Sequence, residues 1–236
     1  MAQGVEDEKR LAGETAAELV EDGMTVGLGT GSTVAYLLPV LARRNLSLRC
    51  VATSQRTADA ARSLGILVEA FAGIDRLDIA IDGADQIAPD GWLVKGGGGA
   101  HTREKLVAVT SERFVVIADS TKLVERIHQP IPLELFSFGL ASTLRRLTPT
   151  TLRGLPPSPD GGVIADFTGE VDDPAALANR FEATPGLVEH GLFPCEFVDT
   201  ILVARGSDVA VRVIRHVARG SGSSAKACRR ECDRDV

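Results

Sequence analysis

Residues 24–41 read MTVGLGTGSTVAYLLPVL: a short apolar run, a glycine-rich turn and a second apolar segment. The run Met24–Leu28 is apolar enough for a buried strand, and Val34–Leu41 resumes as an apolar helix. Strands without a polar face that alternate with helices are typical of a parallel sheet covered by helices. This stretch therefore predicts an α/β fold.

The alternation of strands and helices continues on both sides of this stretch. Glu6–Val20 carries apolar residues at helical spacing, which predicts a helix before the first strand. Downstream, the same criteria predict strands at Leu48–Ala52, Leu77–Ile81 and Phe114–Ala118, and helices at Thr57–Leu64 and Arg103–Thr110. We expect a Rossmann-like, mainly parallel sheet domain.

The pattern changes after His128. Pro130 and Pro132 interrupt the chain, and later segments such as Gly162–Phe167 alternate like strands of a mixed sheet. Asp208–Val217 is apolar enough to return to the first domain. We therefore expect a catalytic domain over 1–130 and 205–218, a smaller α+β domain for self-association over 131–204, and a disordered tail over 219–236.

Composition restricts the class of protein. Lys and Arg total 26 against 32 Asp and Glu, a net charge of −6, so an extended nucleic-acid surface is not expected. Apolar runs are too short for a membrane helix, and the acidic, polar start MAQGVEDEKR is unlike a signal peptide. The 4 cysteines include no C-x-x-C pair, which favours reduced thiols. We expect a cytoplasmic protein without nucleic-acid or membrane partners.

The first candidate site is the segment GLGTGST at 27–33, placed between a predicted strand and a predicted helix. Backbone N–H groups, the hydroxyls of Thr30, Ser32 and Thr33, and the helix dipole together favour an anion such as phosphate. The segment is neither a P-loop nor a complete G-x-G-x-x-G motif. The alternative is a tight turn with a capping serine.

The second and third candidate sites supply charged groups. Asp82-Gly83-Ala84-Asp85 follows a predicted strand, where two carboxylates suit sugar hydroxyls; the alternative is a solvated turn.

The third candidate site begins with Lys95, which precedes the glycines at 96–99. Four glycines cost backbone entropy on folding, which argues that the backbone must pass close to a ligand here. Glu104 lies just beyond Thr102, a candidate N-cap, and has the character of a general base. The alternative is a flexible loop with Glu104 as a helix-start charge.

Together these segments describe a site for proton transfer on a sugar phosphate. The motifs G-x-G-T-G-S-T, T-S-x-x-T (53–57), D-G-A-D, K-G-G-G-x-A-x-T-R-E-K and D-S-T-K (119–122) occur in an order and spacing that resemble the ribose-5-phosphate isomerase type A family. The resemblance covers most of residues 5–130 and continues more weakly to Phe193.

The resemblance implies interconversion of D-ribose 5-phosphate and D-ribulose 5-phosphate without a metal or organic cofactor, by a homodimer or homotetramer. It makes Glu104 the proton acceptor, passing a proton between C1 and C2 through an enediolate. Asp82 and Asp85 then open the furanose ring and handle hydroxyl protons, and Lys95 lies near the oxyanion. The implied substrate-binding residues are Thr30, Gly31, Ser32, Thr33, Asp82, Gly83, Ala84, Asp85, Lys95, Gly96, Gly97, Gly98, Lys122 and Lys9.

Two other functions are compatible with this type of fold. A sugar-phosphate sensor would need a DNA-binding module, and we expect none because one helix and one strand fill the residues before the glycine loop. A CoA transferase would use Glu104 as a nucleophile, which the short chain disfavours. His101 stands where the family usually has an apolar residue, and we expect a loop histidine without a catalytic role.

Overall fold

The structure is a computed structural model in which residues 2–216, 228–229 and 233–235 are described. The α-helices are α1 (Ala2–Ala17), α2 (Ser32–Arg44), α3 (Gln55–Ser63), α4 (His101–Thr110), α5 (Leu140–Arg146) and α6 (Pro174–Glu182), and short 3₁₀ helices occupy Phe71–Gly73, Ser120–Lys122 and Cys195–Phe197. The strands are β1 (Thr25–Leu28), β2 (Arg49–Ala52), β3 (Leu77–Gly83), β4 (Gln86–Ile87), β5 (Leu93–Val94), β6 (Ser111–Asp119), β7 (Ile131–Leu135), β8 (Thr150–Leu152), β9 (Val163–Phe167), β10 (Leu187–His190), β11 (Leu192–Phe193), β12 (Thr200–Arg205), β13 (Asp208–Val213), β14 (Arg215–His216), β15 (Cys228–Arg229) and β16 (Asp233–Asp235).

The chain forms two compact units. The described residues of Met1–Gly83, Leu106–Lys122 and Cys195–Val236 make up the first, and Ala84–Lys105 with Leu123–Pro194 make up the second. The predicted fold class is confirmed, because a mainly parallel α/β sheet lies in the first unit and smaller antiparallel sheets lie in the second. None of the helices in the described ranges is long and apolar enough to cross a membrane.

The first unit is built on a seven-stranded sheet in the order β16-β13-β12-β6-β3-β1-β2. The strands from β12 to β2 run parallel, whereas β13 and β16 are antiparallel at one edge. Apolar side chains of β1 and β3 are fully buried with those of α1 and α2; examples are Ala16, Leu28, Leu37 and Ile81. The apolar pattern predicted from the sequence thus places the helices against the sheet.

The second unit contains a four-stranded antiparallel sheet, β10-β7-β9-β8, and a three-stranded sheet, β11-β5-β4. Its core includes Leu133 of β7, Phe167 of β9 and Phe181 of α6. The rings of Phe167 and Phe181 pack edge to face, with centroids 5.2 Å apart.

The division differs from the predicted boundaries at 130/131 and 204/205. Residues 84–105 lie in the second unit, because β5 pairs with β11 and β4 pairs with β5. Residues 195–204 lie in the first unit, because β12 pairs with β6 in the central sheet. Of the predicted tail over 219–236, Cys228–Arg229 and Asp233–Asp235 are described and form strands. The rest of that prediction lies outside the described residues.

Candidate active site

The glycine loop of the first unit connects β1 to α2 and is shaped by Asp82. Because Leu28 and Ile81 are parallel partners, Gly29 lies directly beside Asp82, and a Cβ at Gly29 would collide with the Asp82 carboxylate. Asp82 Oδ1 accepts hydrogen bonds from Thr30 N at 3.0 Å and from Gly83 N at 2.7 Å. The carboxylate therefore holds the start of the loop in place.

Two of the alternatives proposed from sequence are wrong in part, at Asp82 and at Ser32, whereas Asp85 is exposed between β3 and β4. Asp82 lies within β3 rather than on a solvated turn, and it is 3% exposed. The N-cap of α2 is Gly31, at φ 141°, and it makes no side-chain cap hydrogen bond, so Ser32 is the first helical residue and not a cap. The first-turn N–H groups of α2, including those of Ser32 and Thr33, face a position that favours an anion.

The T-S-x-x-T segment supports the glycine loop, a role that sequence reasoning did not assign. Thr53 Oγ1 lies 2.7 Å from Thr30 Oγ1, and Thr57 Oγ1 donates to the Gly29 carbonyl at 2.9 Å. Ser54 caps α3 by accepting from Thr57 N at 3.2 Å. The spacing of the motif therefore places two threonines against the loop.

Lys122 and Lys9 lie in the first unit on neighbouring elements. Lys122 ends the 3₁₀ helix after β6, and Glu8 of α1 fixes that turn by accepting from Ser120 N at 2.9 Å and Ser120 Oγ at 2.7 Å. Hydrogen bonds from Gly206 N and from Ser120 lower the pKa of the Glu8 carboxyl. Lys9 forms an ion pair with Glu6, at 2.6 Å.

The central feature of the second unit is the ion pair of Lys95 and Glu104. The Lys95 Nζ and Glu104 Oε2 atoms are 3.3 Å apart, and the two side chains are 2% and 4% exposed. Lys95 Nζ also lies 5.6 Å from the centroid of the Phe193 ring. Burying two charges costs free energy of desolvation, and the attraction within the pair offsets this cost only at close range. The two side chains must therefore be held close together. Glu104 does lie in the first turn of α4, as the helix-start alternative expected, but its charge is buried and paired rather than carried on a flexible loop.

Glu104 is positioned by the first turn of α4. The helix begins at His101, and the Glu104 N–H donates to the Ala100 carbonyl at 2.9 Å. Thr102 is consequently inside the helix, where its hydroxyl donates to Glu134, and the prediction of Thr102 as an N-cap is wrong. A helical first turn holds a side chain more firmly than a loop does.

Asp85 holds the glycine loop of the second unit. Its Oδ2 accepts from Gly97 N at 2.7 Å, and its own N–H donates to the Val94 carbonyl at 2.7 Å. Gly96, at φ 105°, adopts a backbone conformation that favours glycine. Asp85 is exposed, so its carboxylate is accessible to a ligand.

His101 is the first residue of α4 and not a loop residue as expected. It is fully buried, and its ring packs against Gly96 so closely that a Cβ there would meet Nδ1 at 2.7 Å. Burial, and after it the charge of Lys105, lowers the pKa of His101 to about 3. The imidazole is neutral near pH 7, which is consistent with an absence of acid–base duty.

Comparisons with known proteins agree with this arrangement of motifs. Residues 49–208 match the family described as ribose 5-phosphate isomerase A (phosphoriboisomerase A). The ribose-5-phosphate isomerase A of Caulobacter sp. (strain K31) is 46% identical over 203 residues, which cover 80% of this chain and 90% of the relative. The chain belongs to the ribose-5-phosphate isomerase A family.

Solved structures of the ribose-5-phosphate isomerase A family have the same fold. The enzyme from Neisseria gonorrhoeae superimposes with a TM-score of 0.84 at 30% identity, covering 88% of this chain and 96% of the other. A D-ribose-5-phosphate isomerase in complex with phospho-erythronic acid gives 0.83 at 30% identity, covering 89% and 99%. In the part of this family member that the structure describes, no cluster of three or more His, Cys, Asp or Glu side chains has the arrangement of a metal site.

Proposed function

We propose that this protein interconverts D-ribose 5-phosphate and D-ribulose 5-phosphate, a reaction of the non-oxidative branch of the pentose phosphate pathway. The observation that carries the proposal is the buried ion pair of Lys95 and Glu104 next to a glycine loop, in a chain of the ribose-5-phosphate isomerase A family. A firmly held carboxylate beside a cation is the arrangement that enolisation of a sugar requires.

The reaction moves one proton between two carbons. Glu104 removes the C2 proton of the open-chain aldose and leaves an enediolate, and Lys95 stabilises the negative charge that develops on oxygen. The same carboxyl returns the proton to C1, while the hydroxyl proton of O2 is transferred to O1. The product is the ketose, so atoms and electrons balance without an external oxidant.

The other motif residues bind substrate and move its hydroxyl protons. Asp82 and Asp85 assist ring opening, since carboxylates accept hydroxyl protons. The helix start at Thr30–Thr33 and the cations Lys122 and Lys9 recognise the phosphate and its neighbouring hydroxyls. Phospho-erythronic acid, found with a solved relative, carries a phosphate and a carboxylate whose oxygens resemble those of the enediolate.

The direct test is to incubate the purified protein with ribose 5-phosphate in EDTA and to measure ribulose 5-phosphate. We expect conversion together with incorporation of solvent deuterium into the sugar, because the carboxyl exchanges its proton with water. Tight binding without conversion would instead indicate a sensor, and a trapped acyl-enzyme after addition of an acyl-CoA would indicate a transferase. Either result contradicts the proposal.

We also propose that the protein forms a homodimer or homotetramer through its second unit. Strand β9 (Val163–Phe167) is not available for association, because it lies between β7 and β8 and packs in the core of that unit. Phe136 and Phe138 support the proposal instead, since they are 58% and 93% exposed. Light scattering at micromolar concentration tests it, and a strictly monomeric species would contradict it.

A cytoplasmic location remains part of the proposal. The described thiol of Cys50 is free and buried, which is usual in a reducing compartment. Burial raises the pKa of the Cys50 thiol to about 12, so this thiol is inert. Fractionation of cells that express the protein would test the location, and recovery with the secreted or membrane fraction would contradict it.

A further inference from the structure

Arg153 joins the antiparallel sheet of the second unit to its glycine loop. It follows β8, and its backbone N–H donates to the Ile164 carbonyl of β9 at 3.0 Å. Its Nε and Nη2 atoms bind the two oxygens of Asp166 at 2.7 and 2.6 Å, a bidentate pair. With side-chain exposures of 16% and 21%, the pair is well shielded, so the guanidinium plane is fixed.

The remaining nitrogen of this guanidinium binds the glycine loop. Arg153 Nη1 donates to the Gly96 carbonyl at 2.8 Å and to the Gly97 carbonyl at 3.1 Å. One side chain thereby fixes the carbonyls of two consecutive peptide groups, in a segment that Asp85 and the hydrogen bond from Gly99 N to the Gly96 carbonyl, at 2.9 Å, also hold. Arginine suits this task because its donors form a rigid planar fork.

Fixing a carbonyl also aims the N–H of the same peptide. In a trans peptide the C=O and the N–H point in opposite directions. The peptide between Gly96 and Gly97 therefore directs the Gly97 N–H away from Arg153, and this group reaches Asp85 at 2.7 Å. In the peptide between Gly97 and Gly98, the Gly98 N–H likewise points away from Arg153. Gly98 is exposed, and no hydrogen bond within the described residues is donated by its N–H.

We infer that Arg153, held by Asp166, is a positioning residue that orients the Gly98 N–H toward the oxyanion of the bound substrate. This inference rests on the proposed isomerase function. Lys95 lies directly before the loop, so the amide and the ammonium act on the same developing charge. Arg153 itself does not touch substrate in this scheme; it acts through the peptide groups of Gly96 and Gly97.

Arg153→Lys tests the inference, because it keeps the positive charge and removes the planar fork. We expect kcat to fall 10- to 100-fold with KM within threefold of wild type, since misdirecting one oxyanion donor weakens transition-state binding. Affinity for phospho-erythronic acid should fall by a similar factor. Asp166→Asn leaves the arginine in place and should shift kcat in the same direction, by 3- to 10-fold.

Arg49→Lys is the matched control. Arg49 forms a similar bidentate pair with Glu69 in the first unit, with both distances 2.9 Å, and touches no part of the glycine loop. We expect its kcat, KM and analogue affinity to stay within twofold of wild type. If folded Arg153→Lys and Asp166→Asn behave like this control, the inference is wrong.

Hydrogen exchange of the peptide spanning 95–99 gives a readout that does not depend on activity. Arg153→Lys should raise its exchange rate at least tenfold while exchange elsewhere in the second unit stays unchanged. Unchanged exchange at 95–99 would overturn the positioning role. If the wild-type protein fails to isomerise ribose 5-phosphate, the proposed function fails, and this measurement still decides whether Arg153 orders the loop.

Discussion

Glu104→Gln separates chemistry from stability because the structure gives this residue two roles. The substitution keeps the size of the side chain and removes both the base and the negative charge that faces Lys95 at 3.3 Å. A positioned general base contributes about 10² to 10⁴ in rate, or roughly 3 to 5.5 kcal/mol of barrier. We expect that loss in kcat.

The effect on stability follows from the burial of the pair. At 3.3 Å and an effective dielectric constant of about 20, the charge–charge attraction is about 5 kcal/mol. Removing one partner of a buried pair typically costs about 3 to 5 kcal/mol, because the other charge is left uncompensated. In a chain of this length each kcal/mol lost from the free energy of unfolding lowers Tm by about 2 to 4 °C. We therefore expect Tm to fall by roughly 6 to 20 °C.

The assay measures kcat, KM and Tm for Glu104→Gln and for a second variant that also carries Lys95→Met. Removing the buried ammonium should recover at least half of the lost Tm, while kcat stays at least as low as in Glu104→Gln. Asp199→Asn controls for the change of acid to amide, since Asp199 accepts from Phe114 N at 2.7 Å in the first unit and should retain full kcat.

Two results would refute this reasoning separately. Turnover of Glu104→Gln within threefold of wild type would show that the carboxylate is not the base. A Tm within 2 °C of wild type would show that the buried ammonium finds compensation elsewhere and that the charge–charge attraction is well below about 5 kcal/mol.

Three further predictions concern other residues. Lys122→Ala should raise KM more than it lowers kcat, because a point charge toward the phosphate acts on binding; steady-state kinetics showing the reverse would assign it to the chemical step. Asp82→Asn should lower kcat at least tenfold while circular dichroism stays native, and wild-type turnover would reduce Asp82 to a support for Thr30. Burial lowers the pKa of His101 in the folded protein to about 3, whereas its ordinary pKa is 6.5. Between these two pH values the imidazole is protonated in the unfolded chain and neutral in the folded protein, so acid favours unfolding. The free energy of unfolding should therefore fall by about 2 kcal/mol from pH 7 to pH 5 on its account, and His101→Leu should remove that part of the fall in urea titrations.

Local sequence pattern was sufficient for strands β1, β2, β3 and β6 of the first unit, whereas it did not predict β12 (Thr200–Arg205). Continuous apolar runs such as Leu77–Ile81 indicate strands that are buried on both faces of the sheet. Strand β3 contains this run. The unit boundaries could not be predicted in the same way. They depend on the pairing of β5 with β11, which joins residues about a hundred positions apart and leaves no local signal.

In the candidate site too, local sequence identifies single residues, whereas the contacts between them depend on the folded structure. Glu104 and Lys95 were singled out individually by their residue types and their glycine neighbours, but their ion pair depends on where α4 begins. Arg153 was missed altogether. An arginine and an aspartate in a strand-like region are common, and only the folded sheet shows that Arg153 reaches the glycine loop.

Each aspartate of D-G-A-D orders the glycine loop of its own unit, although the sequence presents the loops and the aspartates as separate motifs. A side chain at Gly29 would occupy the place of the Asp82 carboxylate, and a Cβ at Gly97 would meet Asp85 Oδ1 at 2.8 Å. Each aspartate also accepts a hydrogen bond from its own loop, Asp82 from Thr30 N and Asp85 from Gly97 N. Glycine is therefore required at 29 and 97 less for backbone freedom than for room, because each carboxylate must approach the backbone that it orders.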